Sequence, residues 1–224
     1  MKKWTLLLCA LLLSGCKVDH VKIQDGITNE LIEMTENEPI YYTTMEKPLY
    51  SYYLPKDIGR ISSNELSSLF VKDGVKFIMN FNPNKVVIHN YYYKDKVITA
   101  EELTINEENN LYYDASGTFK GSDKRYHYYD VKVTHLKENN YLLKLDMSYV
   151  NFLAVVKPVE IKPLIKSMVT MAKSLHFDVD YVVSEYSLKS TSESVKVSLE
   201  DFNEELPESG LLSDLIEKKE GNKQ

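Results

Sequence analysis

Cysteine, tryptophan and arginine are the scarce residues of this 224-residue chain. Its two cysteines, Cys9 and Cys16, both fall at the start, so the rest of the chain can form no disulfide and must fold by packing alone. The single tryptophan is Trp4, which leaves the remainder without an indole platform for stacking sugars. Only Arg60 and Arg125 are arginines, and the formal net charge is −6, so the chain offers no basic stripe to nucleic acid. The apolar run from Trp4 to Leu13 is roughly ten residues, whereas a membrane-spanning helix needs about twenty. Phosphate-loop, dinucleotide and nucleophile-elbow fingerprints are missing as well. Histidines 20, 89, 127, 135 and 176 show no zinc-ligand spacing, and Asp178 with Asp180 lacks the glycine and closing glutamate of a calcium loop. No metal and no cofactor are expected.

What is present begins at the N-terminus. Lys2 and Lys3 precede the apolar run, and Leu13-Ser14-Gly15-Cys16 closes it. This string resembles the lipobox of bacterial lipoproteins. The resemblance implies that residues 1–15 are removed as a signal peptide and that Cys16 becomes the acylated first residue of a protein tethered to the membrane. Two or more acyl chains, at about 0.8 kcal/mol per buried methylene, give lasting anchorage where one does not. Loss of Lys2 and Lys3 leaves 25 basic against 33 acidic residues, a net charge of −8. Such a body is repelled by an anionic bilayer, and the lipid must do the membrane binding.

Residues 16–39 are polar, with only a faint helical spacing in Ile27, Leu31 and Met34, and read as a flexible tether below a single domain over 40–188. Asp73-Gly74 between Leu69–Lys72 and Val75–Phe81 predicts a two-residue hairpin, because both turn positions tolerate positive φ. Asn82-Pro83-Asn84 predicts a further reversal into a strand over Lys85 to Tyr93. A second meander joins a strand from Tyr126 to His135, through Lys137–Asn140, to a strand with Tyr141, Leu143, Leu145, Met147 and Tyr149 on one face. Phe152 to Val156 extends it or begins another strand. After Pro158, Leu164, Met168, Met171, Ala172 and Leu175 recur at helical spacing, with Lys166, Thr170 and Lys173 opposite and Pro163 in the first turn. Tyr181 to Leu188 predicts one more strand. The expected class is α+β, an antiparallel meander with one main C-terminal helix on one face.

Residues 189–224 form an acidic tail in which Leu211, Leu212, Leu215 and Ile216 make a short amphipathic helix. Such a helix docks either on its own core or on a partner. The seventeen tyrosines are clustered, and adjacent tyrosines in a strand point to opposite faces. Tyr91, Tyr92, Tyr93, Tyr126 and Tyr128 are the candidates for an outward binding face, against the plainer reading of strand propensity. His127 and His135 share strand parity with Val131 and Val133, but eight residues separate them by roughly 26 Å, too far to share a metal.

These features favour a lipid-anchored, extracytoplasmic, non-enzymatic module that binds an envelope protein or a cell-wall component. A second reading is a cell-envelope hydrolase, which requires a cleft where His89, His127 or His135 meets a carboxylate. Small-ligand capture in a one-domain cavity is the third.

Overall fold

The computed structural model of the chain describes residues 19–92 and 110–187. Its centre is a seven-stranded antiparallel sheet of β3 (Gly59–Ser63), β4 (Ser67–Lys72), β5 (Val75–Phe81), β6 (Leu111–Lys120), β7 (Tyr126–His135), β8 (Tyr141–Met147) and β9 (Val150–Val156). A separate two-stranded ribbon pairs β1 (Met45–Glu46) with β2 (Ser51–Tyr52). Four helices complete the described residues: α1 (His20–Glu36), α2 (Pro83–Tyr92), α3 (Pro158–Lys173) and α4 (Val179–Ser187). The class is α+β.

Local chemistry explains the hairpins. Asp73 and Gly74 have φ of 49° and 83°, the left-handed pair that a two-residue turn with the right-handed strand twist demands. The β7–β8 turn uses Glu138 in the same region, with φ 59°. The strand order β3-β4-β5-β9-β8-β7-β6 departs from a continuous meander, because β9 returns to pair with β5. Phe77 lies opposite Ala154, and Phe81 opposite Val150.

One face of the sheet carries Phe77, Met79, Phe81, Val131, Val133, Leu143, Leu145, Phe152 and Ala154, all buried beneath the helices. Two helices cover that face, not one. α3 buries a broad face, because α1 packs along its side as well as the sheet beneath it, and leaves Val159, Lys162, Pro163 and Lys166 exposed. The segment expected to be a flexible tether is therefore α1 from His20 to Glu36, with Ile27 and Leu31 in the core. Its start is marked by Asp19, whose carboxylate accepts the Lys22 N–H. Glu30 forms ion pairs with Lys162 and Lys166, each at 3.3 Å. Lys173, expected on the solvent side of α3, is only 2% exposed, and its ammonium donates to the carbonyls of Met34 (2.5 Å), Thr35 (3.3 Å) and Asn37. Those are orphan acceptors at the C-terminal end of α1, and a cation there also meets the negative end of the helix dipole.

Three further expectations are corrected. The run from Lys85 to Tyr93 begins as helix α2: Asn82 accepts the Lys85 N–H at 3.1 Å and Pro83 occupies the first turn, a start signal that outweighs the β-branched residues behind it. Tyr181 to Leu188 lies in α4 as far as Ser187, opened by the Asp178 carboxylate accepting the Tyr181 N–H at 3.1 Å. α3 starts at Pro158, so Pro163 sits inside it rather than in its first turn; Glu160 accepts the Lys157 N–H at 2.7 Å and fixes that start.

Candidate functional site

One end of the sheet opens into a groove of about 720 Å³. Its walls come from the β1–β2 ribbon, the β6–β7 turn, the β8–β9 turn and the loop joining α3 to α4. Backbone pairing locks these parts together: Ser51 and His176 exchange N–H to carbonyl bonds at 2.8 Å, and the Ser122 N–H reaches the Lys173 carbonyl at 2.9 Å.

The lining is mixed, and a row of rings runs through it. His127 stacks on Phe119 with ring centres 5.4 Å apart and meets Tyr149 edge-on at 5.7 Å. Tyr149 meets Phe177 at 5.0 Å, and Phe177 leans on Phe81 at 5.6 Å. These rings form a row running from the β6–β7 hairpin to the loop before α4.

Polar groups are set into that row. His127 Nε2 lies 2.9 Å from Asp123 Oδ1, so the carboxylate orients the imidazole. The turn makes this contact: the Gly121 N–H donates to the Arg125 carbonyl, Lys124 takes φ 65°, and Asp123 also accepts the Arg125 N–H. Burial pushes the Asp123 carboxyl up, but the hydrogen bond and charge of His127, with help from Arg125, outweigh it and hold it below the usual range. Tyr149, whose hydroxyl lies 2.9 Å from His89 Nδ1, is pushed up to about 12, first by burial and then by the Asp123 charge. His176 Nδ1 lies 2.9 Å from the Ser174 carbonyl and therefore carries the proton in that bond. Ser122 Oγ donates to the Leu175 carbonyl at 2.9 Å and sits 3.3 Å from the same His176 nitrogen.

A carboxylate–imidazole pair is the base-orienting half of a hydrolytic centre. Among the described residues its other half is not at hand, because the His127 ring is hydrogen-bonded to Asp123 and to no hydroxyl. Among the described residues there is also no cluster of three or more metal-ligating side chains. The geometry is that of an aromatic cleft with fixed polar groups, able to hold a ligand by stacking and hydrogen bonds.

The tyrosines expected to form a binding face divide. Tyr126 is exposed on the hairpin beside the groove, and Tyr91 is exposed near the end of α2. Tyr92 closes α2, while Tyr93 lies outside the described residues, as do Cys16 and Leu211, Leu212, Leu215 and Ile216. Tyr128 is a correction. It is 3% exposed, and its hydroxyl accepts from the Lys85 ammonium at 3.1 Å within a buried cluster on the sheet's other face, where Lys85 also pairs with Asp146 at 2.8 Å. Burial alone would lower the Lys85 pKa, but Asp146 and Tyr128 overcome that and raise it. His135 sits at the far end of β7, with Nε2 3.1 Å from the Glu138 carbonyl, and meets no carboxylate there. Sequence reasoning missed Asp123, Tyr149, Phe119 and Phe177. The only local signal was Asp123 four residues before His127, on either side of a turn.

No protein-family model matches this sequence, and no curated protein does. A crystal structure at 1.50 Å resolution from Bacteroides thetaiotaomicron VPI-5482 is similar at 10% identity and a TM-score of 0.27, over 62% of this chain and 49% of that one. The chain thus spans about half the length of that protein, and a likeness of this size carries no argument.

Proposed function

We propose that this chain is an extracytoplasmic lipoprotein, anchored through Cys16, that acts as a non-enzymatic binding module for an envelope protein or a cell-wall component. The observation that supports binding is the groove. It is large enough for a peptide or a short glycan segment, aromatic rings run through its lining, and exposed Tyr181 stands at its edge, with exposed Tyr126 on the adjoining hairpin. Arg125, exposed at its rim, and the Asp123–His127 pair supply charge of both signs. The anchor rests on Leu13-Ser14-Gly15-Cys16. Among the described residues no helix is long and apolar enough to cross a membrane.

The test has two parts. Palmitate labelling in cells is expected for the natural chain and lost in Cys16→Ala. A photo-crosslinking residue placed at Tyr181 or Tyr126 is expected to capture a wall fragment or one envelope protein, whereas the same residue at Ile61, on an edge strand, captures neither. Equal capture at all three sites removes the groove from the proposal.

The Asp123–His127 pair favours one second reading, a cell-envelope hydrolase in which His127 is the general base. It requires cleavage of defined muropeptides by the natural chain and loss of cleavage in His127→Gln.

A further inference from the structure

Two ends of the domain are chemically different. At one end lie the starts of α1 and β6, the β7–β8 turn, and the exit of β9 into α3. His20 meets Tyr112 at 5.6 Å, Tyr112 meets Tyr141 at 4.6 Å, and Tyr141 meets His135 at 5.0 Å. Tyr141 also pairs across the sheet with Val156, which leads directly into α3. The two long helices run parallel from this end: Gly26 and Glu30 lie against Lys162, Glu30 against Lys166, and residues 34–37 against Lys173.

This end exposes aliphatic side chains that the core does not use. Val21 is 65% exposed, Leu111 47% and Val159 69%. Among the described residues around them, 19–22, 110–111, 136–140 and 156–160 hold Lys22, Lys137 and Lys157 against Asp19, Glu138 and Glu160, a balance of zero, although the chain after Cys16 is strongly acidic. The opposite end, about 25 Å away along the seventeen residues of α1, holds the groove, with Tyr126 and Tyr181 exposed.

Cys16 precedes His20 by four residues, a reach of at most about 14 Å when fully extended. That is about twice the thickness of one headgroup layer, roughly 5–8 Å, and far less than the length of the domain. With α1 clamped to the core, the lipid holds this particular end against the bilayer. Resting on the lipoprotein reading above, we propose that Val21, Leu111 and Val159 form a membrane-contacting surface that sits among the lipid headgroups and turns the groove away from the membrane. The partner is the bilayer surface itself. Three aliphatic residues in a neutral ring insert at little electrostatic cost, whereas the acidic remainder is repelled by anionic lipid.

The chain from Cys16 onward has no tryptophan and no other cysteine, so it can carry one fluorescent reporter and one chemical anchor. A dipalmitoyl maleimide lipid coupled to Cys16 supplies the anchor whether or not cells acylate it, which separates this test from the palmitate labelling. Val21→Trp, Leu111→Trp, Val159→Trp, Tyr126→Trp and Tyr181→Trp are each bound to vesicles of phosphatidylglycerol and brominated phosphatidylcholine. The first three are expected to be quenched several-fold more strongly than the last two. Val21→Glu with Val159→Glu, both at exposed sites, is expected to abolish quenching at position 111 while the circular dichroism stays unchanged. Equal quenching at the two ends, stronger quenching at the groove end, or no quenching anywhere overturns the proposal. Absence of palmitate labelling from the natural chain in cells, with the quenching pattern intact, overturns only the lipoprotein reading.

Discussion

Lys173→Met is expected to loosen α1 selectively. The substitution keeps most of the buried stem, so the packing change is small, and it removes three donated bonds to Met34, Thr35 and Asn37. A bond to a charged group is worth about 1.5–3 kcal/mol net, and an acceptor left buried without a donor costs about 1–3 kcal/mol. Burial disfavours the ammonium, which also shows as a lowered Lys173 pKa, so the set is counted as about one strong bond rather than three. The expected loss is about 3 kcal/mol. For a domain of this size each kcal/mol moves Tm by roughly 2–4 °C, so calorimetry of the chain from Cys16 onward is expected to show a fall of about 6–12 °C. Hydrogen exchange is expected to rise most in residues 20–36, less in the sheet. An unchanged Tm together with unchanged exchange in α1 would refute the view that this lysine fastens the helix.

Two further outcomes follow from buried charge. Lys85→Met leaves Asp146 buried without its cation and is expected to cost about 3–5 kcal/mol, whereas Lys85→Met combined with Asp146→Leu recovers most of the loss; chemical denaturation of the natural chain, the two single variants and the double variant checks this, and additive losses would count against the pairing. Tyr149 is expected to ionise near 12 rather than 10 in an ultraviolet alkaline titration, and earlier in Asp123→Asn. Its folded pKa is raised, so the stability linked to it is present in full below pH 10 and lost as pH climbs towards 12. Asp123 runs the other way: its pKa is lowered, so its contribution stands above the usual carboxylate range and disappears as pH falls through the folded value.

Hairpins were legible in the sequence where turn chemistry is local. Asp73-Gly74 named both its turn type and its flanking strands, and the alternation from Tyr141 to Met147 named the buried face of β8. Helices α1, α2 and α4 were missed for a shared reason. Each is opened by an Asx residue capping the first turn, Asp19, Asn82 or Asp178, and in each the residues behind the cap carry a weak or β-like pattern. Their helical form is settled by what they pack against, as Ile27 and Leu31 show. Lys173 looked like a solvent-facing lysine because nothing local reveals that a second helix ends above it. The groove was hidden similarly: His127 was a candidate, but Phe119, Tyr149 and Phe177 come from three separate elements, and only the folded sheet brings their rings into one row.

The pairing of β5 with β9 also governs how the chain can be cut. Phe77 finds Ala154 seventy-seven positions later, so the middle of the sheet closes only after both outer groups of strands exist. Long-range closure of this kind slows folding. Until it happens, β5 presents Phe77, Met79 and Phe81 beside a row of unpaired backbone groups, the feature that recruits foreign strands. A product ending before Val150 therefore keeps that row open for good. Neither half of the sheet is a smaller version of the domain, and fragments designed at the 92–110 junction should be recovered as aggregates rather than as half-domains.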